Sequence, residues 1–247
     1  MDRLPLVLIF LLPVIGCRSD TDLVAPIYAG KIAGHIRLYD DFGRQLTNSA
    51  GVSVTTAGGS IYTISDSLGF WTLCNVPTGI YDVTFSKQGY LKEKRFSIQF
   101  VGGAILYLNE IYLAQIPTVS VTSLSGITVD SNRTIEFQGT LSSSDSLGRS
   151  IAFLFCRQAP VTSTLFHYIF YESVYTFSSS TTFNSTVQFF DYYYPRYRIR
   201  RGDTLFVVAY PRSRGAAGGL VFNPASYEYE FDNPTVGFSN VITVVVP

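Results

Sequence analysis

The residues best suited to binding chemistry lie in one stretch where tyrosines meet arginines. That stretch contains Tyr192, Tyr193, Tyr194, Arg196, Tyr197 and Arg198. After Pro195, the two-residue period of a strand places the arginines on one face and Tyr197 on the other. Exposed tyrosine rings beside arginines form a platform for sugar rings or for a protein partner. The competing interpretation is a strand whose aromatic side chains fill the core while its arginines are solvated.

Residues for catalysis are sparse. The two histidines, His35 and His167, have no nucleophile near them in sequence, so we expect structural histidines rather than members of a catalytic triad. Carboxylates that could pair for acid–base work are Asp40, Asp41, Asp191, Glu228 and Glu230, most of them in predicted turns or strand faces. Calcium at Asp40 and Asp41 is an alternative, but no cluster of Cys or His indicates zinc. We therefore predict no enzyme, no metal site and no cofactor.

The first seventeen residues contain a targeting signal. An apolar run from Leu4 to Ile15 is short for a membrane span and contains Pro13, so it is typical of a secretory signal. The run ends in Gly16-Cys17, and together with Val14 and Ile15 these residues resemble the lipobox of bacterial lipoproteins. The alternative is an ordinary signal peptide with an incidental cysteine.

The lipobox resemblance implies cleavage before Cys17 and acylation of that residue, because several acyl chains hold a protein stably at a membrane. Residues 1–16 are then the signal peptide and residues 17–29 a lipidated tether. Acidic residues just after Cys17 resemble the surface-export signal of Bacteroidetes lipoproteins. We expect an outer-membrane lipoprotein of the cell envelope, on either the surface or the periplasmic face.

Composition and periodicity both favour strands. Tyr, Phe, Thr, Ser and Val are abundant, and the formal net charge is zero, so nothing indicates nucleic acid as a partner. Trp71 and Leu73 are two residues apart, as are Tyr81, Val83 and Phe85, so each set lies on one face of a strand. Gly and Pro between the sets supply turns. These patterns predict an antiparallel β-sandwich.

Residues 30–116 contain a series of spaced glycine, aspartate, aromatic and aliphatic positions. These positions are Gly34, Ile36, Asp41, Gly43, Leu46, Gly51, Val52, Val54, Ser65, Asp66, Gly69, Trp71, Leu73, Val76, Pro77, Gly79, Tyr81, Val83, Gly89 and Tyr90. They resemble the carboxypeptidase regulatory-like domain, with Ser65 where Thr is usual and Gln45 where Pro often occurs. The resemblance implies a seven-stranded, transthyretin-like sandwich, usually non-catalytic and common in Bacteroidetes envelope proteins. The Tyr-Arg-Gly-Ser signature of transthyretin-like hydrolases is absent.

Residues 117–247 predict a second sandwich. Eight short strand patterns alternate with turn signals such as Arg201-Gly202-Asp203, and the final strand resembles that of immunoglobulin-like or fibronectin-like modules. Cys74 and Cys156 fall in different predicted domains, so we expect partly buried free thiols, although an exported protein permits a disulfide.

The predicted function is a lipid-anchored, non-catalytic binding or scaffolding module for a glycan or another envelope protein. Two alternatives are a surface hydrolase acting on glycans or peptides, and a fimbrial or adhesin subunit. A hydrolase needs converging catalytic groups, whereas a fimbrial subunit needs an edge or groove that accepts a partner's strand. The sequence does not specify the ligand.

Overall fold

The computed structural model describes residues 28–144, 149–162, 166, 168–174, 180–189, 199–213, 220–223, 228–231 and 237–247. Within these ranges the regular elements are seventeen β-strands and one 3₁₀ turn at Asp130–Asn132. No helix there is long and apolar enough to cross a bilayer. The predicted all-β class is confirmed.

The N-terminal sandwich is built from the first eight strands. They are β1 (Gly30–Tyr39), β2 (Ser53–Thr56), β3 (Tyr62–Ile64), β4 (Phe70–Val76), β5 (Gly79–Ser86), β6 (Glu93–Phe100), β7 (Ile105–Tyr107) and β8 (Ile111–Ala114). One sheet has β1 between β4 on one side and β7, then β8, on the other; the second has the order β3-β2-β5-β6. Strands β7 and β8 both run parallel to β1, whereas β4 is antiparallel to it.

The core of this sandwich uses the residues that the two-residue period predicted. Trp71, Leu73, Val83 and Phe85 are buried in one apolar cluster, and Tyr81 packs against it. The cluster draws on both sheets, so each sheet contributes one apolar face, as the packing of two sheets requires. The predicted antiparallel pairing holds except where β7 and β8 run parallel to β1.

The C-terminal sandwich is built from the remaining nine strands. They are β9 (Val121–Val129), β10 (Thr134–Leu141), β11 (Arg149–Cys156), β12 (Tyr168–Val174), β13 (Thr182–Gln188), β14 (Thr204–Arg212), β15 (Leu220–Asn223), β16 (Glu228–Phe231) and β17 (Ile242–Val245). The sheets have the orders β13-β10-β9 and β12-β11-β14-β17, and β15 and β16 form a separate pair. Phe137, Phe153, Phe155, Phe183 and Phe189 dominate the core between the two larger sheets.

Two strands of the C-terminal sandwich depart from the sequence prediction. Strand β9 extends to Val129, beyond the predicted residues 119–121. The prediction stopped early because the first exposed positions after Val121 are Thr122, Ser123 and Ser125 rather than the apolar residues that reveal a strand. Strand β15 was not predicted. Cys74 and Cys156 form no disulfide, as expected, but neither is partly buried: Cys156 lies in the core and Cys74 is exposed.

The two sandwiches meet at a buried ion pair. Asp41 follows β1 and Arg149 begins β11, and their side chains are 3% and 2% exposed with the Arg149 nitrogen 2.5 Å from a carboxylate oxygen. The second carboxylate oxygen accepts hydrogen bonds from the backbone N–H and the hydroxyl of Thr118, at 2.9 and 2.8 Å. The Arg149 guanidinium also lies 5.7 Å from the centroid of the Phe42 ring. Asp41 therefore lies in a turn, as predicted, and its carboxylate pairs with Arg149 at the junction between the two sandwiches.

Candidate functional site

The outward face of the sheet β13-β10-β9 contains an open groove of about 270 Å³. Strand β10 lies in the centre and is antiparallel to both neighbours. The residues that line the groove are Ser125, Gly126, Ile127, Glu136, Phe137, Gln138, Asn184, Ser185 and Thr186. Polar side chains from three adjacent strands therefore border one depression.

Strand register fixes which of these side chains are neighbours. Glu136 pairs with Ile127 on β9 and with Thr186 on β13, and Gln138 pairs with Asn184 two positions further along. Directly paired residues on one face have Cβ atoms about 5 Å apart. The carboxylate, the two amides and the Ile127 side chain therefore lie within reach of a single ligand.

The opposite face of the same sheet holds this arrangement rigid. Phe137, between Glu136 and Gln138, is buried and stacks on Phe153 with ring centroids 4.5 Å apart. At Gly139 a Cβ atom would lie 2.3 Å from the Phe183 ring, so the ring occupies the space that a side chain would need. Close packing beneath β10 leaves its outward side chains little freedom to shift as a group.

The groove keeps unused hydrogen-bonding capacity. Glu136, Gln138 and Asn184 are exposed, and within the described residues their side chains make no hydrogen bond or ion pair. Each amide offers two N–H donors and a carbonyl acceptor, and the carboxylate adds acceptors. By contrast, the hydroxyls of Thr122 and Thr140, further along the face, bond to each other at 2.9 Å. The polar side chains of the groove are thus available for hydrogen bonds with solvent or with a ligand.

A second polar cluster, on the outward face of the N-terminal sandwich, is internally satisfied. Glu110 accepts hydrogen bonds from Arg37, from the Tyr112 hydroxyl at 2.8 Å and from His35 at 2.7 Å. The bond from Arg37 is the main cause that lowers the pKa of Glu110 to about 2, despite its partial desolvation. The other His35 nitrogen lies 2.6 Å from the Leu68 carbonyl oxygen. Both ring nitrogens of His35 therefore lie within hydrogen-bonding distance of protein oxygens, and its structural role stays a prediction.

Several predicted site residues lie outside the described part of the chain. These are Cys17, His167, Asp191, Tyr192, Tyr193, Tyr194, Arg196, Tyr197 and Arg198. The tyrosine–arginine platform and the lipidation site therefore stay predictions; the platform begins a few residues after β13, which borders the groove. Glu228 and Glu230 lie in strand β16. Within the described ranges, no three His, Cys, Asp or Glu side chains group as metal ligands.

Sequence reasoning missed Glu136, Gln138 and Asn184 as site residues. Glu136 was placed correctly in a predicted strand, but alternating polar residues on a strand are the common signature of a solvated face. The signal that could separate a binding face from a solvated face is the set of amide and carboxylate side chains that alternate with apolar ones on the central strand. This set is recognised only once the register of β9, β10 and β13 is known.

Comparison with known proteins shows only remote similarity. No protein family model matches the chain, and no curated protein does. Among solved structures, a DUF3823 family protein from Bacteroides ovatus is 11% identical over 89% of this chain and 100% of its own, with a TM-score of 0.33. A DUF3823 family protein from Parabacteroides merdae is 10% identical over 88% and 98%, with a TM-score of 0.33.

A third solved structure matches a smaller part of the chain. A mutant type II cohesin–X-dockerin complex from Acetivibrio cellulolyticus contains a chain that is 22% identical over 35% of this protein, with a TM-score of 0.30. The match spans 58% of the length of that chain.

Proposed function

We propose that this protein is a lipid-anchored component of the cell envelope that binds a glycan without reacting with it. The observation that carries the proposal is the groove on the outward face of β13-β10-β9, where Glu136, Gln138 and Asn184 present free hydrogen-bonding groups. The proposed anchor is the acylated Cys17, on an outer membrane and facing either side of it.

The composition of the groove favours a glycan over a charged ligand or a protein partner. Its lining has no Lys or Arg and a single carboxylate, while Ser, Thr, Asn and Gln supply neutral donors and acceptors. Ile127 is 70% exposed and supplies an apolar surface for the C–H face of a sugar ring. Protein interfaces instead often depend on arginine anchors seated in central pockets, and the described lining of the groove contains no arginine.

The open shape of the groove favours a short stretch of polymer rather than an enclosed small molecule. Its volume of about 270 Å³ is close to the lower end of the roughly 300–1,000 Å³ of pockets that enclose small ligands, but the groove lies open on a sheet face. An extended chain of sugars can cross such a face and contact it with one or two rings.

A non-catalytic role agrees with the titratable groups of the groove. Glycoside hydrolysis uses a pair of carboxyl groups, one on each side of the scissile bond. Among the described lining residues only Glu136 carries a carboxyl group. A lone exposed carboxylate serves as a hydrogen-bond acceptor for sugar hydroxyls.

The test is a glycan-array screen of the purified protein, followed by titration calorimetry with a glycan that binds. Gln138→Ala and Asn184→Ala should each weaken binding by about 2- to 10-fold, the worth of one or two hydrogen bonds. Gln99→Ala is the matched control, because Gln99 is an exposed amide on strand β6 of the other sandwich. It should leave the affinity unchanged.

Glu136→Gln separates binding from catalysis. Binding of a neutral glycan should survive this substitution within a few-fold, because glutamine keeps one acceptor, and the parent protein should release no shortened product. Product release by the parent that Glu136→Gln abolishes would establish a hydrolase and overturn the non-catalytic proposal. Binding that Gln138→Ala and Gln99→Ala leave equally intact would remove the groove as the site.

A further inference from the structure

One end of the N-terminal sandwich exposes several large apolar side chains. We call this end the tether pole, because the described chain begins there at Tyr28. Its exposed side chains, with their exposed fractions, are Tyr28 at 58%, Ile80 at 70%, Val101 at 76%, Ile105 at 47% and Tyr107 at 72%. Single exposed apolar residues are ordinary, but a group of them at one end of a domain marks an interaction surface.

Backbone contacts join these residues into one surface. The Thr78 hydroxyl lies 3.2 Å from the Tyr28 carbonyl oxygen and 3.3 Å from that of Val101. At Gly102, with a φ of +77°, a Cβ atom would lie 2.1 Å from the Tyr28 carbonyl oxygen, so only glycine fits against the entering chain. Ile80 lies in β5 next to Gly79, and Gly79 pairs with Phe100, the residue before Val101. The entering chain and the loop after β6 are therefore held side by side.

Charge at the tether pole has one sign. The three segments that form it, residues 28–31, 75–81 and 99–107, contain a single charged side chain, Lys31. Lys31 is exposed and pairs with Ile105 across β1 and β7. A surface of tyrosines and aliphatic side chains with one lysine matches the interface of a bilayer, where tyrosine rings and cations are both favoured.

The opposite end of the N-terminal sandwich contacts the C-terminal sandwich. Strand β1 runs for ten residues from Gly30 to Tyr39, about 33 Å at the rise of an extended strand. Just beyond Tyr39, Asp41 pairs with Arg149 and joins the C-terminal sandwich. The tether pole and the inter-sandwich junction therefore lie at opposite ends of β1.

Chain length restricts what can cover the tether pole. From Cys17 to Tyr28 there are eleven residue steps, which span at most about 40 Å even when fully extended. An acylated Cys17 would thus lie within about 40 Å of the tether pole, the end of the protein to which the tether is joined. We propose that the tether pole docks onto the bilayer surface, with Tyr28, Ile80 and Val101 in the headgroup region and the C-terminal sandwich directed away from it.

This inference rests on the proposed acylation of Cys17, and its test separates the two. The full lipidated chain carrying Cys74→Ser, which removes the exposed thiol, is labelled with an environment-sensitive fluorophore at Val101→Cys or, as control, at Ile127→Cys. Ile127 is similarly exposed but belongs to the C-terminal sandwich. Each protein is reconstituted into vesicles of phosphatidylethanolamine and phosphatidylglycerol that contain a quencher on the acyl chain, and the vesicles are isolated by flotation.

The label at Val101 should lose most of its emission in the floated vesicles, while the label at Ile127 keeps its emission. A further variant, Ile80→Asp in the Val101→Cys chain, should float as before but recover most of the emission. Equal emission from both labels in floated vesicles would overturn the docking of the tether pole and leave the anchor intact. Failure of the full chain to float would overturn the anchor and the docking together.

Discussion

Removing the Asp41 carboxylate should destabilise the whole protein more than any surface substitution. The side chains of Asp41 and Arg149 are almost completely buried, and Thr118 donates two further hydrogen bonds to the same carboxylate. Asp41→Ala takes the Asp41 counter-charge away from the buried Arg149 cation. Breaking a buried pair in this way costs about 3–5 kcal/mol, which corresponds to a fall of about 6–20 °C in the melting temperature of a chain of this size.

Differential scanning calorimetry measures the fall in melting temperature. Two further variants are needed to interpret it. Arg44→Ala is the matched control: it removes an arginine that is 75% exposed from its ion pair with the neighbouring Asp40, so it should cost less than about 1 kcal/mol. The double substitution Asp41→Leu with Arg149→Met should recover most of the lost stability, because replacing both members of a buried pair by apolar residues is often close to neutral.

The outcome also reports on how the two sandwiches are coupled. If the junction joins them, Asp41→Ala should split the thermal transition or broaden it, because the two halves then unfold less cooperatively. A cost of Asp41→Ala no larger than that of Arg44→Ala would refute the reasoning, since it would mean that the junction is hydrated or open in solution.

Three further predictions concern local structure. Gly69→Ala should destabilise the fold by well over 1 kcal/mol, whereas Gly89→Ala should cost about 1 kcal/mol. Both glycines have positive φ, but of the two only Gly69 would place a Cβ atom against backbone, 2.1 Å from a carbonyl oxygen of β1. Equal losses of unfolding free energy in urea would contradict this prediction. In the folded protein the pKa of Glu110 is about 2, below its ordinary value of 4.5, so its carboxylate should stabilise the protein fully above pH 4.5 and lose that contribution as the pH falls toward 2. Glu110→Gln should therefore flatten the acid dependence of stability. Parallel curves of stability against pH for parent and variant would count against the cluster. A maleimide should label Cys74 in the native protein and Cys156 only after denaturation, because Cys74 is exposed and Cys156 is buried. Peptide mass mapping identifies the labelled residue. Labelling of Cys156 in the native protein would mean that β11 is not buried.

Much of the fold is visible in the sequence because half-buried strands alternate. Trp71 with Leu73, and Val83 with Phe85, revealed β4 and β5 through their spacing alone, and both pairs lie in the core. Strand β11, buried on both faces, shows a continuous apolar run instead. Strand β9 was truncated in the prediction because its outward Ser and Thr residues resemble a loop.

The junction and the groove could not be predicted from sequence patterns. Asp41 and Arg149 are 108 positions apart, and Asp41 lies in a turn where aspartate is already expected. The groove needs the register of β9, β10 and β13, which brings Asn184 beside Gln138. The position of Glu110 beside β1 also depends on tertiary pairing. Both β7 and β8 pair with β1, with a register change of one residue between them, and Glu110 lies in that connection just before β8.

The most direct test of the account is a solution NMR titration with a glycan that the array identifies. The side-chain NH₂ resonances of Gln138 and Asn184 should shift and saturate together with the calorimetric binding curve, while the NH₂ resonances of Gln99 stay in place. Saturable binding that leaves the Gln138 and Asn184 resonances unmoved would contradict the central claim that this sheet face holds the ligand.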